Sequence, residues 1–367
     1  MPIIFRKTSQ IILIALAFML LAATVLSMLP LNQWWSRLCD FPRIQIVVLA
    51  ALVLLLYGML FRFRSRGNAI LYTLMVGVII YQGIQIYPYT PLAEEQTSLA
   101  QSSDSTTFVK MMSSNVLMTN HQTESLLELV RKKNPDLVLL MEADAWWQQQ
   151  MAPLEETYPY TVLHPLDNTY GMLLYSRLPL HQTEVHNLLK DSIPSIQTYM
   201  TLPSGQPVKL YCVHPEPPVP EYSKTSTQRD AELLLVGEMI EEKEEPAILT
   251  GDLNDVAWSP TSNLFRKISQ MLDPRVGRGF YNTFNANYSL LRWPIDHVFH
   301  TEHFQLVDLE VLPDIGSDHF PFYFTLSFQP GEEWQQHKPE DASPEEEEKA
   351  QDTIEKGLEK SGNETAE

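Results

Sequence analysis

At 367 residues, 44% of them hydrophobic, the chain is long enough for more than one domain, and its formal net charge of −19 argues against a protein that grips duplex nucleic acid through a broad basic face. Its two cysteines, Cys39 and Cys212, are widely separated and do not make a disulfide framework. The charge is segregated: residues 1–87 hold seven Lys/Arg and one Asp (net +6), 88–107 are net −3, 108–330 hold 15 basic and 28 acidic residues (net −13), and 331–367 are net −9.

Three uncharged runs, Ile11–Leu29, Ile44–Phe61 and Ala69–Tyr87, have 18 or 19 residues each, close to the roughly 20 that cross a bilayer. The first, preceded by Arg6 and Lys7, could instead be a cleaved signal peptide, but it is long and two more runs follow it directly. Residues 1–87 therefore read as a three-helix membrane anchor. In a three-span arrangement Arg6, Lys7, Arg62, Arg64 and Arg66 fall on one side and Arg37 and Arg43 on the other. That imbalance puts the N-terminus in the cytoplasm and everything after Tyr87 outside it, as in a multi-pass protein of a cell (inner) membrane. Gln82 and Gln85 in the third run could hydrogen-bond between helices, or be tolerated without partners near the outer interface.

Residues 88–107, with Pro88, Pro91 and a Gln/Ser/Thr/Asp mixture, read as a flexible tether. Residues 331–367 are rich in Glu, Lys, Pro and Ser, with almost no large apolar residue after Trp334. That composition predicts a disordered acidic tail.

Between them, residues 108–330 carry strand and helix signals in alternation. Phe108–Asn115 reads as a strand, Thr123 opens a helix that stops before Pro135, and Asp136–Met141 is an apolar strand followed at once by Glu142. A strand–helix–strand unit of this size predicts parallel strands, with Asn115 and Glu142 at the same end of the sheet. Glu142 is then either a solvated strand end or a ligand. Tyr170–Ser176 is another strand, and Ser195–Leu202 with Pro207–Val213 form a hairpin around Pro203-Ser-Gly-Gln206, running out into His214-Pro-Glu-Pro-Pro218. His214 is either a surface loop residue or a rigidly held functional one. Cys212 reads as a small buried apolar residue. A helix over Thr225–Glu242 leads into Ala247-Ile-Leu-Thr-Gly-Asp-Leu-Asn-Asp255, a buried strand broken by Gly251. Asp252 and Asn254 would share one side of it if the backbone stayed extended; alternatively they make an Asp/Asn turn that caps the helix predicted over Ser262–Met271. Strands Ile295–His300 and Phe320–Phe328 stand beside two Asp-His pairs, Asp296-His297 and Asp318-His319.

Collected, the strand ends offer Asn115, Glu142, His214, Asp252, Asn254, Asp296, Asp318 and His319. An oxygen-rich set with two histidines suits Mg2+, Mn2+ or Ca2+ better than a soft metal. A hard cation, a water held by Asp and Asn, and an imidazole backed by a carboxylate suit phosphate-ester hydrolysis.

These segments resemble the endonuclease/exonuclease/phosphatase superfamily, the DNase I-like fold, whose marks are an Asn ending strand one, a Glu after strand two, Gly-Asp-x-Asn and a terminal Ser-Asp-His. All occur here in order over about residues 108–328. With the three-span head, His214-Pro-Glu-Pro-Pro218 and Trp293-Pro-Ile-Asp-His297, the chain is most similar to the membrane-anchored bacterial branch. The resemblance implies an α/β four-layer sandwich, two mixed β-sheets flanked by helices, preceded here by three transmembrane helices. It implies that Glu142, helped by Asn115, binds the divalent metal, with Asp318 completing the metal or phosphate shell. It makes Asp252 the residue that orients or deprotonates water, Asn254 its positioning partner, His214 a phosphate contact, and His319 the imidazole partnered by Asp296. One departure concerns the residues after Asn115: many members carry an acid there, whereas this chain has Val116 and Leu117, leaving one or two metals open. The expected activity is a metal-dependent phosphodiester hydrolase acting on a phospholipid, a small phosphodiester or a nucleic acid. The alternatives are an extracytoplasmic nuclease, with Arg177, Arg275, Arg278 and Arg292 as a local basic rim, and a non-catalytic membrane-tethered binding domain.

Overall fold

The computed structural model describes residues 3–61 and 66–365. The apolar head forms helix α1 (Ile3–Met28), a short α2 (Trp34–Arg37), α3 (Arg43–Leu60) and α4 (Arg66–Ile86). Among the described residues, three helices are long and apolar enough to cross a membrane. They pack through Leu13, Ala17, Leu20, Ala50, Val53, Tyr57, Met75 and Val78, while Ile11, Phe18, Leu55, Met59, Ile80 and Ile84 stay exposed on the outside of the bundle, where a hydrocarbon solvent would suit them. Gln82 is fully buried and joins the three helices: its amide donates to Thr24 Oγ1 at 3.0 Å and its carbonyl accepts from Arg43 at 2.8 Å. It is an interhelical hydrogen-bonding residue rather than a tolerated interfacial one. Arg62 and Arg64, two of the basic residues in the orientation count, lie outside the described residues.

The body begins with β1 (Phe108–Asn115), α5 (Thr123–Lys133), β2 (Leu137–Met141), α6 (Ala145–Met151), β3 (Tyr160–His164), β4 (Met172–Ser176) and β5 (Leu180–His186). It continues through β6 (Ser195–Thr201), β7 (Pro207–Cys212), α7 (Thr227–Glu241), β8 (Ala247–Asp252), α8 (Pro260–Ser269), β9 (Asp296–His300), β10 (Phe304–Val311), β11 (Phe322–Phe328) and α9 (Pro344–Thr365). Helix α5 stops where Asn134 adopts a left-handed conformation, φ 47°, ahead of Pro135, a common helix terminator.

Two mixed sheets result, in the orders β10-β11-β1-β2-β4-β3 and β5-β6-β7-β8-β9. β1 pairs parallel to β2 and β7 parallel to β8; the remaining pairs are antiparallel. The facing sides of the sheets enclose Met111, Leu139, Leu174, Ile196, Leu210, Cys212 and Ile248. Outside the first sheet, α5 and α6 bury Leu126, Val130, Trp147 and Met151; outside the second, α7 and α8 bury Leu234, Val236, Phe265 and Ile268. The architecture is the expected four-layer sandwich, and Cys212 is buried with a free thiol.

Two segments are more ordered than their composition predicts. Along 88–107, the Tyr89 hydroxyl donates to Ala257 O at 2.7 Å, the Gln96 carbonyl accepts from Arg266 at 2.7 Å, and Thr97 meets His300 at 2.9 Å. The segment is a strap on the body because its polar side chains meet buried partners. The acidic tail, in turn, carries α9. Ser343 and Glu346 cap it reciprocally, with Ser343 N donating to the Glu346 carboxylate at 3.0 Å, a capping-box signal that was present in the sequence. Ala350 and Ile354 are buried, and Gly357 sits where a Cβ would fall 2.3 Å from that of Ala231. Ala350, Ile354 and Gly357, at helical spacing, pack α9 on α7 with a single large apolar residue among them.

Gly251 is required where β8 meets the other elements at the site. It has φ 153°, and a Cβ there would fall 1.8 Å from Val213 O. A strained φ and an overpacked contact cost about 3 kcal/mol together. Gly251→Ala should therefore lower the thermal midpoint of the full chain in detergent by on the order of 10 °C, read by near-ultraviolet circular dichroism; an unchanged midpoint would show that the backbone adjusts there freely.

Candidate active site

The two parallel pairs bring four strand ends to one edge of the sandwich. Asn115 lies opposite Met141, so Glu142 follows beside it, and Cys212 lies opposite Thr250, which places His214 near Asp252. The antiparallel β8–β9 register sets Asp252 directly across from Asp296. β11 returns next to β1, and Ser317 Oγ donates to Asn115 O at 2.9 Å, so Asp318 and His319 arrive from the other side.

Asp252, 1% exposed, is the centre. Its Oδ1 accepts the Asn254 backbone N–H at 2.9 Å and its Oδ2 accepts from Asn115 Nδ2 at 3.1 Å. The same Oδ2 lies 3.8 Å from His214 Nε2 and 3.5 Å from His319 Nε2. Asn115 Nδ2 also donates to Glu142 Oε1 at 2.8 Å, and its Oδ1 accepts from Leu117 N at 3.1 Å. Asn115 thus bridges two carboxylates through its amide nitrogen. The backbone does not stay extended past Asp252: Asn254 has φ 51° and closes a turn, with its side-chain amide donating to Pro215 O at 3.0 Å. That turn does not cap the next helix, since the Ser259 side chain accepts from Ser262 N at the start of α8.

His319 Nδ1 is 2.8 Å from Asp296 Oδ2. Burial disfavours an imidazolium, but the charges of Asp296 and Asp252 outweigh it and push the His319 pKa up to about 10, so the ring is cationic at neutral pH. Burial keeps His214 below its ordinary value, with the Asp252 charge opposing only in part. Desolvation raises Glu142 to about 7 against the pull of the Asn115 hydrogen bond, and raises Asp252 as well.

These groups face a cavity of about 480 Å3 lined by Glu142, His214, Asp252, Asn254, Asp318 and His319 at one end. Asp296 stands behind His319, outside the lining. A larger cleft of about 790 Å3, edged by Glu238, Glu241, Glu347 and Glu348, contains none of the candidate residues. All eight predicted residues therefore gather at one edge. The proposed basic rim does not form: Arg275 is buried on Asp273 at 2.8 Å, Arg278 pairs with Glu95 at 2.7 Å, and Arg177 and Arg292 lie over the rings of Tyr158 and Phe320. His297 of the first Asp-His pair turns away to Asp255 O and Arg275.

Residues 112–319 match the Endonuclease/Exonuclease/phosphatase family. The chain belongs to this family. Among solved structures, that of D. rerio TDP2 complexed with a single-strand DNA product matches with 19% identity over 60% of this chain and 99% of that one, at a TM-score of 0.50. The human nocturnin catalytic domain matches at 14% identity, 66% and 99% coverage and 0.49, and a family protein from Bacteroides thetaiotaomicron at 18%, 61% and 98%, and 0.48. At these identities the similarity is one of fold. Comparison with curated protein sequences gives no match.

Endonuclease/exonuclease/phosphatase members are generally divalent-metal dependent, and the donor set here fits a hard cation. Glu142, Asp252, Asp296 and Asp318 outnumber the imidazoles that could balance them, and Asp296 Oδ1 is buried without a hydrogen-bond partner. Asp252, Asp296 and His319 offer ligand atoms within 4.8 Å of one another, a group that could hold a metal. Both ring nitrogens of His319, however, already face carboxylates, and a protonated ring has no lone pair to give. Glu142 and Asp318 add two further carboxylates to the cavity wall.

Pattern reading missed two supports of this family site. Arg229 in α7 donates to Asn254 O at 2.8 Å and pairs with Asp230 and Asp255 at 2.7 and 3.1 Å, holding the Asn254 turn from below. The rings of Tyr170 and Phe284 lie 5.4 Å from His214 and 4.9 Å from His319. The Arg229-Asp230 pair on the packed side of a predicted helix was the available signal.

The 2.8 Å contact between His319 and Asp296 predicts that the two act as a unit. His319→Ala and Asp296→Asn should each slow hydrolysis of bis(p-nitrophenyl) phosphate by about 10²-fold or more, with a double mutant barely slower than the worse single one and melting retained. Multiplicative losses, or a normal rate in Asp296→Asn, would dissolve the pair.

Proposed function

We propose that this chain is a membrane-anchored, divalent-metal-dependent phosphodiester hydrolase whose catalytic domain lies outside the cytoplasm. The observation that carries the reading is Asp252 Oδ2, a buried carboxylate oxygen with the Nε2 atoms of His214 and His319 at 3.8 and 3.5 Å, at the head of an open cavity. Glu142, steadied by Asn115, and Asp318 would hold the cation, which when bound would neutralise charge on the phosphate and leaving oxygen. Asp252, its proton affinity raised by burial, takes a proton from the attacking water that Asn254 helps to position. The water oxygen bonds to phosphorus, one phosphorus–oxygen ester bond breaks, and the departing oxygen takes up a proton, giving a phosphomonoester and an alcohol. His319, kept cationic and oriented by Asp296, stabilises charge on the phosphoryl oxygens, and His214 contacts them from the β7 side.

Two arguments support the anchoring and its direction. The outward faces of α1, α3 and α4 are apolar, and the two basic residues on the far side of the orientation count are internally paired: Arg37 lies 3.6 Å and Arg43 2.5 Å from Asp40. Arg6, Lys7, Arg62, Arg64 and Arg66 are therefore left to set the positive-inside bias. A reporter active only outside the cytoplasm, fused after Glu367, should be active, and a cytoplasmic reporter at the same point silent; the reverse pattern would invert the topology.

For the chemistry, the full-length protein in detergent should hydrolyse bis(p-nitrophenyl) phosphate with added Mg2+ or Mn2+, lose the activity on dialysis against EDTA and regain it on metal return. Glu142→Gln should raise the half-saturating metal concentration by about tenfold or more. Full activity after EDTA treatment would overturn the metal assignment.

A further inference from the structure

The cavity in front of Asp252 has two unlike ends. Beyond the acid and imidazole cluster, its walls are Trp34, Leu38 and Phe41 from the segment joining α1 to α3, Pro217–Pro220, Glu221 and Tyr222, and Phe284 with Trp293. The membrane head therefore supplies one wall of the site in the body. No lysine or arginine is among the described residues lining the cavity.

This junction is built rather than incidental. Trp34 N donates to Lys224 O at 3.0 Å and Ser226 N to Asn32 O at 2.7 Å, pairing the head loop with the segment before α7. Trp258 Nε1 donates to Asp40 O at 2.8 Å, and the Phe41 ring meets Trp293 edge-on at 5.7 Å. The segment from Phe284 to Trp293 links the two ends: Phe284 bridges by backbone to His319 on one side and to Trp293 on the other. At its tip, Gln45 in the first turn of α3 donates to Leu290 O at 3.0 Å. Tyr288, Leu290 and Leu291 around that contact are 62, 82 and 47% exposed. Apolar side chains exposed beside the first turn of a membrane span lie at the level of the bilayer interface.

From these observations we infer that the substrate is the phosphodiester of a membrane phospholipid, which reaches Asp252 along the Trp34–Leu38–Phe41 wall without leaving the bilayer surface. The inference rests on the phosphodiesterase reading above and names its substrate class. A lipid diester brings one phosphate charge to a site with a hard-cation donor set and the His214 and His319 rings, and an apolar moiety to a mostly apolar wall. A nucleic-acid strand brings a row of charges that ordinarily meets Lys and Arg, and none is among the described residues lining the cavity. About 480 Å3 is the size of a small-molecule site; it takes the phosphodiester and the adjoining apolar part, with the chains left in the bilayer. Water's oxygen goes to phosphorus and one ester oxygen leaves as an alcohol, so the products are a phosphomonoester and an alcohol whichever ester bond breaks.

The test uses the full-length protein in detergent micelles and three diesters: bis(p-nitrophenyl) phosphate, a single-stranded oligonucleotide, and mixed micelles of phosphatidylglycerol and phosphatidylethanolamine. The lipid should be the best substrate by kcat/KM. Leu38→Asp, at a position 55% exposed where folding tolerates charge, and Phe41→Ala should each lower the lipid-to-small-diester ratio of kcat/KM by about tenfold or more, as loss of apolar contact in a pocket does. Hydrolysis of the small diester or the oligonucleotide without the lipid would overturn the inference while leaving the phosphodiesterase reading in place, as would equal effects of both variants on all substrates. Failure on every diester would remove the phosphodiesterase reading itself.

Discussion

A carboxylate 1% exposed is stable only if its surroundings replace the water it lost, and the edge of this sandwich is arranged around that requirement at Asp252. Asn115 and the Asn254 backbone supply two hydrogen bonds, and His214 and His319 supply positive or polarisable ring edges. Each supplier needs its own support. Asp296 holds His319, Arg229 holds the Asn254 turn, and Ser317 ties the β11 approach to β1. The same low dielectric that makes the burial costly strengthens every charge interaction available to a phosphate there.

The head and the body share residues at the site rather than merely a covalent link. Tyr89, Trp258, Val256, Ala257 and Ile295 form one buried cluster with the last residue of α4, Ile86, and Phe41, Ile44 and Val47 pack against it. A body fixed this way cannot swing freely on the strap formed by residues 88–107. The position of the cavity relative to the three apolar helices is therefore set by side-chain packing. Such coupling restricts what can approach the cavity, since one side of the opening is formed by residues joining the apolar helices.

The polar network beneath the junction is of a different kind. Arg275 makes paired hydrogen bonds to Asp273 and touches His297 Nδ1 at 2.7 Å, and Arg266 reaches Gln96 and Tyr89. These residues are buried and hydrogen-bonded to one another, so their charges serve to orient the strap and β9. Arg275, which looked available for a nucleic-acid strand in the linear chain, is thus consumed by the interior.

The sequence by itself determined the elements whose signals are local. β1, β2, β7, β8 and β11 are apolar runs that end in polar residues; these central strands are buried on both faces, and their ends carry Asn115, Glu142, His214 and Asp252. β3, β5 and β10 gave weaker patterns because all three are sheet edges, where half-solvated positions accept polar side chains such as those of His181-Gln-Thr-Glu184. Composition likewise misjudged residues 88–107 and α9, whose order comes from small and polar residues meeting partners far away in the chain. Only the tertiary structure decided that Asp252 faces two imidazoles, that Asn115 bridges two carboxylates, and that Trp34, Leu38 and Phe41 line the cavity. Strand register and packing between distant segments set those distances, and neither is written in the spacing of residues along one segment.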